Sequence, residues 1–201
     1  MTVTRRLGLL APLAAVSLAG CGLNSVPTAE ENVNARFADV QADYQRRNDL
    51  IGNLVETVKA AAAQESTVLI GISEARARAT QTTLSPADLS DPAKVAAFDA
   101  AQAQVGVAVR PLLGPMIQER YPELKSLQNF ATLQDQLEGT ENRINASRRD
   151  YNTAVQGYNT RIRTFPDAIG AKVIYGAKPK VPFAASAAAQ EAPKVDFGTT
   201  G

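Results

Sequence analysis

Residues 44–59 read YQRRNDLIGNLVETVK, with Tyr44, Ile51, Leu54 and Val58 recurring at helical spacing and Arg47 standing where the pattern asks for one more apolar residue. Followed outward the pattern does not slip: Val33, Phe37, Val40, Tyr44, Arg47, Ile51, Leu54, Val58 and Ala61 alternate steps of four and three. Heptad spacing of this kind predicts one long amphipathic helix. Thr28 is the expected N-cap, Glu30 and Glu31 suit the positive end of the helix dipole, and the helix runs to about Ala63.

After Gln64-Glu65-Ser66 the spacing resumes through Val68, Ile72, Ala75, Ala79 and Thr82 to about Leu84. No Gly or Pro marks the junction, so the residues permit either a turn at 64–66 or one straight helix. Ser85 to Pro92 is a linker that ends in Asp91 as N-cap and Pro92 at the first helical position. The third helix carries Val95, Phe98, Gln102, Val105, Val109, Leu112 and Met116, with Pro111 and Pro115 predicting a kink or an early end. Tyr121 to Ser126 is a further turn. The last long helix, about Ser126 to Phe165, has the seam Phe130, Leu133, Leu137, Thr140, Ile144, Ser147, Tyr151, Val155, Tyr158, Ile162 and Phe165, and Pro166 stops it. A short helix is expected over 167–175.

No segment alternates as a strand, so the expected fold is all-α: an antiparallel four-helix bundle with long helices over residues 30–175, preceded by a tether at 21–29 and followed by an extended or disordered tail over 176–201. The composition agrees. The chain has 201 residues, 45% hydrophobic but only 5% aromatic and without tryptophan, which suits close packing of alanine and aliphatic side chains.

Histidine is absent and Cys21 is the single cysteine. That excludes Ser-His-Asp and Cys-His catalysis, finger-type zinc sites and an internal disulfide. No catalytic residues, metal or cofactor are expected. Glu31, Asp39, Glu56, Glu74, Asp135, Glu138 and Glu141 mostly fall off the seams and read as solvated helix faces rather than metal ligands. The formal charge of +1 and the lack of any nucleic-acid motif argue against a nucleic-acid partner.

Residues 1–21, MTVTRRLGLLAPLAAVSLAGC, have the layout of a secretory signal: Arg5 and Arg6, then an apolar run from Leu7 to Leu18. The run is shorter than the roughly 20 residues a membrane span needs and contains Pro12 and Ser17. Leu18-Ala19-Gly20-Cys21 resembles the bacterial lipobox, which implies removal of residues 1–20 and lipidation of Cys21. The competing reading is an uncleaved anchor over 7–23. Cleavage leaves 19 basic against 20 acidic residues. The lipobox implies a protein anchored in the cell envelope facing the periplasm, and Gly22 in place of Asp favours the outer membrane over the inner. Thr4-Arg5-Arg6 also hints at twin-arginine export.

Two clusters stand out as candidate sites. Arg47 interrupts the first seam, and with Gln102, Thr140 and Ser147 it suggests a polar layer. The run Arg46, Arg47, Asn48 and Asp49 is the candidate polar-pin or partner site, where Arg47 either pins the bundle by pairing with Asp49, a carboxylate of the last helix or carbonyls, or serves a ligand or partner. Arg161, Arg163, Lys172, Lys178 and Lys180 return to the anchored end in an up-down-up-down topology and form a candidate membrane-facing cluster for anionic lipid, the competing reading being favourable positive charge at a C-terminal helix end. Tyr44, Tyr151 and Tyr158 lie on seams and read as core, with hydroxyls that need partners.

The run Arg46-Arg47-Asn48-Asp49-Leu50-Ile51-Gly52-Asn53-Leu54-Val55-Glu56-Thr57-Val58-Lys59 resembles the signature of the LemA family. Supporting blocks are Tyr121-Pro122-Glu123-Leu124-Lys125, Asn129-Phe130 through Thr140-Glu141-Asn142-Arg143-Ile144, Tyr151-Asn152, Tyr158-Asn159-Thr160, Phe165-Pro166 and Ala192 to Phe197. Gly52 departs from the family's usual Pro, Pro111 and Pro115 interrupt a helix usually free of them, and a lipobox replaces the membrane helix of many relatives. The resemblance implies a membrane-held four-helix bundle with no established enzymatic activity, one branch of the family taking part in forming magnetosome membranes. It points to a non-enzymatic scaffold or adaptor in envelope organisation, partnered by the membrane through lipidated Cys21, by unidentified envelope proteins and by self-association. The alternative expectation is a periplasmic carrier of lipid or a small ligand, using a cleft opened by Pro111 and Pro115.

Overall fold

The structure is a computed structural model that describes residues 24–61, 66–114, 124 and 128–184. The signal segment with Cys21, the turn at Tyr121-Pro122, Pro115, Met116 and residues 185–201 lie outside the described residues. Its helices are α1 (Ser25–Ala61), α2 (Ser66–Gln81), α3 (Pro92–Leu113), α4 (Gln128–Arg161) and α5 (Asp167–Val173), with a 3-10 turn at Pro86–Ser90. The described residues contain no strand, and the fold is a helical bundle.

The first helix follows its seam, with Val33, Phe37, Val40, Tyr44, Arg47, Ile51, Leu54 and Val58 all buried. It begins at Ser25, earlier than Thr28, the expected cap, and inside the expected tether of 21–29. Thr28 N–H already bonds the Asn24 carbonyl, and Val26, one heptad before Val33, is buried. That extra apolar residue extends the packed face, while Pro27 sits in the first turn, where a missing N–H costs nothing.

Between α1 and α2 the chain reverses. Gln41 Nε2 donates to the Leu84 carbonyl at 3.3 Å, and the Arg76 guanidinium lies over Gly52, so α2 runs back along α1. Asp91 caps α3 by accepting from Ala93 N–H and Lys94 N–H, and Pro92 takes the first helical position. The early end expected of the prolines is found: α3 stops at Leu113, two residues after Pro111. In the linker, Lys94 and the Ser85 hydroxyl and N–H hold the Asp88 carboxyl well below the usual carboxylate range.

α4 lies antiparallel along α1, since Arg47 meets Glu141, Tyr44 meets Arg148 and Phe37 meets Tyr151. Its seam is buried from Phe130 to Tyr158 except for the partly buried Leu133, but Phe165, expected as the last seam residue, is 82% exposed. The reason is geometric. α1 begins at Ser25, so one turn beyond Ile162 there is no partner helix left to cover a side chain, and α4 ends at Arg161. After α5, residues 177–184 run extended along α4 and the 3-10 turn.

The core is divided. One cluster at the far end of the bundle joins Leu50, Ile51, Leu54, Val58, Ile72, Val105, Leu112, Leu124 and Leu137. The other, at the end where α1 starts, joins Val26, Phe37, Tyr44, Leu89, Phe98, Tyr151, Tyr158, Ala171 and Phe183. The residues between them are polar.

Candidate functional site: a buried polar layer and a docked C-terminal strap

Arg47 occupies the boundary between the two cores and is 3% exposed. Its Nη2 donates to the Gln102 backbone carbonyl at 2.9 Å and to Gln102 Oε1 at 2.8 Å, and its Nη1 donates to Glu141 Oε1 at 3.2 Å. The guanidinium also lies 4.9 Å from the centre of the Tyr44 ring. Gln102 Nε2 reaches the Ala79 carbonyl at 3.4 Å, so the layer touches α1, α2, α3 and α4 at one level. Burying a cation is costly unless its donors are paired, and here only Nε lacks a partner.

Of the pairings expected for Arg47, the structure forms those with Gln102, with a carbonyl across the bundle and with a carboxylate of the last helix, but not those with Thr140, Ser147 or Asp49. Thr140 and Ser147 are buried, yet their hydroxyls donate to carbonyls of their own helix, Gln136 and Ile144. Asp49 points outward and accepts from Gln45 Nε2, so the carboxylate that meets Arg47 is Glu141. Arg46 is exposed, whereas Asn48 is buried with Oδ1 unpartnered. Gly52 has a use that spacing did not show: a Cβ there would meet Arg76 Nη2 at 2.9 Å, so the missing side chain admits the guanidinium.

A second polar constellation escaped the sequence reading. Arg148 Nη1 donates to Asp99 Oδ1 and to the Tyr44 hydroxyl at 2.8 Å, and its Nη2 donates to Asp99 Oδ2 and to the Ala184 carbonyl at 2.9 Å. Its guanidinium stacks 4.7 Å from the Phe183 ring centre. The faint signal was that Asp99 and Arg148 each stand one residue past a seam position, Phe98 and Ser147.

Arg148 is one of several groups that hold the 177–184 strap. Asn159 Oδ1 accepts from Lys180 N–H at 2.9 Å while its Nδ2 donates to the Lys180 carbonyl at 2.8 Å. Asn152 treats Phe183 the same way, at 2.8 and 3.0 Å. Seven helical residues span about 10.5 Å, and three extended ones span about 10 Å, so the two amides match the strap in register. Between them the Tyr151 hydroxyl donates to the Val181 carbonyl at 2.9 Å, and Val181 N–H donates to the Leu89 carbonyl at 2.8 Å. The strap thus bridges α4 and the 3-10 turn.

Lys180 requires a correction. It was expected to face the membrane with the other C-terminal cations, but it is 6% exposed, pairs with Glu30 at 2.9 Å and donates to the Pro86 carbonyl. Docking of the strap carries the side chain inward, where only a carboxylate and a carbonyl can stabilise it. Arg161, Arg163, Lys172 and Lys178 remain exposed at that end.

The three seam tyrosines are buried, and burial raises the pKa of each; in Tyr44 it outweighs the opposing Arg148, and Tyr158 is pushed up to about 12 by burial and by Glu30. Asp39 pairs with Arg36, Glu56 with Lys59 and Glu74 with Arg78, all on exposed faces. Among the described residues no group of three or more His, Cys, Asp or Glu could hold a metal ion. No described helix is long and apolar enough to cross a membrane.

A long-helix bundle with a polar layer across its middle and a chain segment strapped to one face defines the class: an all-helical bundle protein. More specifically, the LemA family model matches residues 36–197, most of the chain, and the protein belongs to the LemA family. A search of curated proteins gave no significant match.

Proposed function

We propose that the protein is a lipid-anchored, non-enzymatic scaffold or adaptor of the bacterial envelope, facing the periplasm and held by lipidated Cys21, with the outer membrane as the favoured site. The observation that carries this reading is how the family fingerprint is used. Arg47, its most unusual residue, is engaged with Gln102 and Glu141 in holding helices together, while Arg36, Asp39, Arg46, Asp49, Glu56 and Lys59 of α1 are exposed. Exposed charges of both signs along one helix can steer and select a partner protein of complementary charge. Its first helix starts four residues after Cys21, which leaves almost no slack between lipid and bundle.

One observation favours a second reading, the carrier. Where α3 ends after Pro111, Ile51, Val109, Leu113 and Leu137 line an open groove of about 460 Å³, with Asp135, Glu138 and Glu141 along it. Photo-crosslinkers placed in living cells at Gln45 and Asp49 of α1, and at Leu113 in the groove, separate the two. A scaffold gives recurrent protein adducts from α1. A carrier gives lipid adducts at Leu113, with lipid co-purifying, and no protein adducts from α1.

A further inference from the structure

Between Arg161 and Lys178 the surface reverses the polarity of the rest of the bundle. α5 buries a small residue, Ala171, and turns Ile169, 60% exposed, and Val173, 78%, outward, while Phe165 before it is 82% exposed and Ile174 just after it 59%. Ile169 and Val173 stand one turn apart on the same helical face, and Phe165 lies just before α5. An outward face of this kind is opposite to what a water-facing helix shows. The other large exposed apolar residues of the described chain outside this segment, Ile70 and Val107, stand singly toward the far end.

The position of this patch matters as much as its chemistry. Val26, at the start of α1, belongs to the same core cluster as Ala171, and α1 and α5 are in contact. The patch therefore lies at the end from which residues 1–23 depart, with their apolar run and Cys21. Exposed Arg161, Arg163, Lys172 and Lys178 flank it, against Asp167 as the single acid from 161 to 178. Apolar side chains beside cations suit the boundary of an anionic bilayer, where acyl chains take the first and phosphates the second. A second copy of the chain fits less well, since a two-fold contact through this patch would set its four cations against the same four.

We infer that Phe165, Ile169, Val173 and Ile174 insert into the interface of an anionic membrane, forming a second membrane contact beside the Cys21 lipid. The inference rests on the anchored reading above and deepens it. Two contacts on one end fix how the bundle stands: with α1 upright, the Arg47 layer sits about 33 Å along the helix from Ser25.

The test uses the mature lipidated protein, purified from membranes and reconstituted in vesicles of phosphatidylethanolamine and phosphatidylglycerol. Acylation blocks the single native thiol, so Ile169→Cys, Val173→Cys and the distant control Val107→Cys can each be labelled with a polarity-sensitive dye. The labels at 169 and 173 are expected to shift to shorter wavelength and to lose most of their quenching by iodide, more so than on neutral phosphatidylcholine vesicles, while the label at 107 stays quenched. Floating protein with labels at 169 and 173 as accessible as at 107 overturns this inference and leaves the anchor standing. Protein that does not float overturns both. Protection that varies with the protein-to-lipid ratio assigns the patch to a second copy, and equal protection on neutral lipid overturns the part given to the cations.

Discussion

Arg47 on α1 and Gln102 on α3 meet twice, the Arg47 Nη2 donating at 2.9 Å to the Gln102 backbone carbonyl and at 2.8 Å to its side-chain oxygen. The double contact ties a side chain to a backbone as well as to another side chain. It therefore fixes the height of α3 against α1 in a way that apolar packing alone, which tolerates sliding by a heptad, does not.

Arg47→Ala leaves Gln102 buried without its partner and opens a cavity, and is expected to cost about 3 kcal/mol in chemical denaturation. Glu141→Ala removes a half-exposed partner and should cost about 1 kcal/mol or less. The Arg47→Met, Gln102→Leu double variant, which replaces both groups with apolar ones, should come within about 1 kcal/mol of the parent. If the layer sets register, that variant should also show altered self-association in solution scattering.

The strap predicts a local effect. Asn152→Ala and Asn159→Ala each delete a pair of hydrogen bonds to the strap backbone and should each cost about 1–2 kcal/mol. Hydrogen exchange in the peptide spanning 180–184 should accelerate, with exchange in the middle of α1 and α4 unchanged. Unaltered exchange at 180–184 would show that the amides do not hold it.

Alkaline pH should act through the buried tyrosines. Tyr158 has its folded pKa raised from 10.0 to about 12, so both states are protonated below pH 10 and contribute no pH dependence. From pH 10 to 12 the unfolded chain releases a proton that the folded chain keeps, and stability falls as pH rises. Tyr44 and Tyr151 shift in the same direction and add to the fall. Ultraviolet titration should show late phenolate absorbance in the native protein that moves to lower pH in guanidinium.

Glycines give a contrast in sign. Gly139 and Gly157 lie within α4 with nothing near an added Cβ, so alanine at either should stabilise by about 0.5–1 kcal/mol. Gly176 has φ +55°, where alanine should destabilise by about 1 kcal/mol or more. Thermal melts of the three variants check both directions.

What the sequence made legible is what repeats. The seams of α1, α3 and α4 could be read because burial along a helix recurs every three or four residues, and Arg47 was visible as a break in that recurrence. The strap could not, because Asn152 and Asn159 lie beside the seam and their partners are backbone groups of Lys180 and Phe183, whose position no periodicity encodes. Phe165 misled for a related reason: it continues the spacing of α4, but whether it is covered depends on where α1 begins. The partner of Arg47 was similarly open, since Asp49 and Glu141 are both carboxylates and only the packing of α4 against α1 selects the second.

The claim on which the functional account rests most heavily is the anchor at Cys21, and the intact mass of the mature protein extracted from membranes tests it most directly. Anchoring at Cys21 requires a chain beginning at that residue with the added mass of a diacylglycerol thioether, and a Cys21→Ala variant that is neither processed nor acylated. A mature chain that retains residues 1–20, or one that begins at residue 21 with no acyl mass, would contradict it.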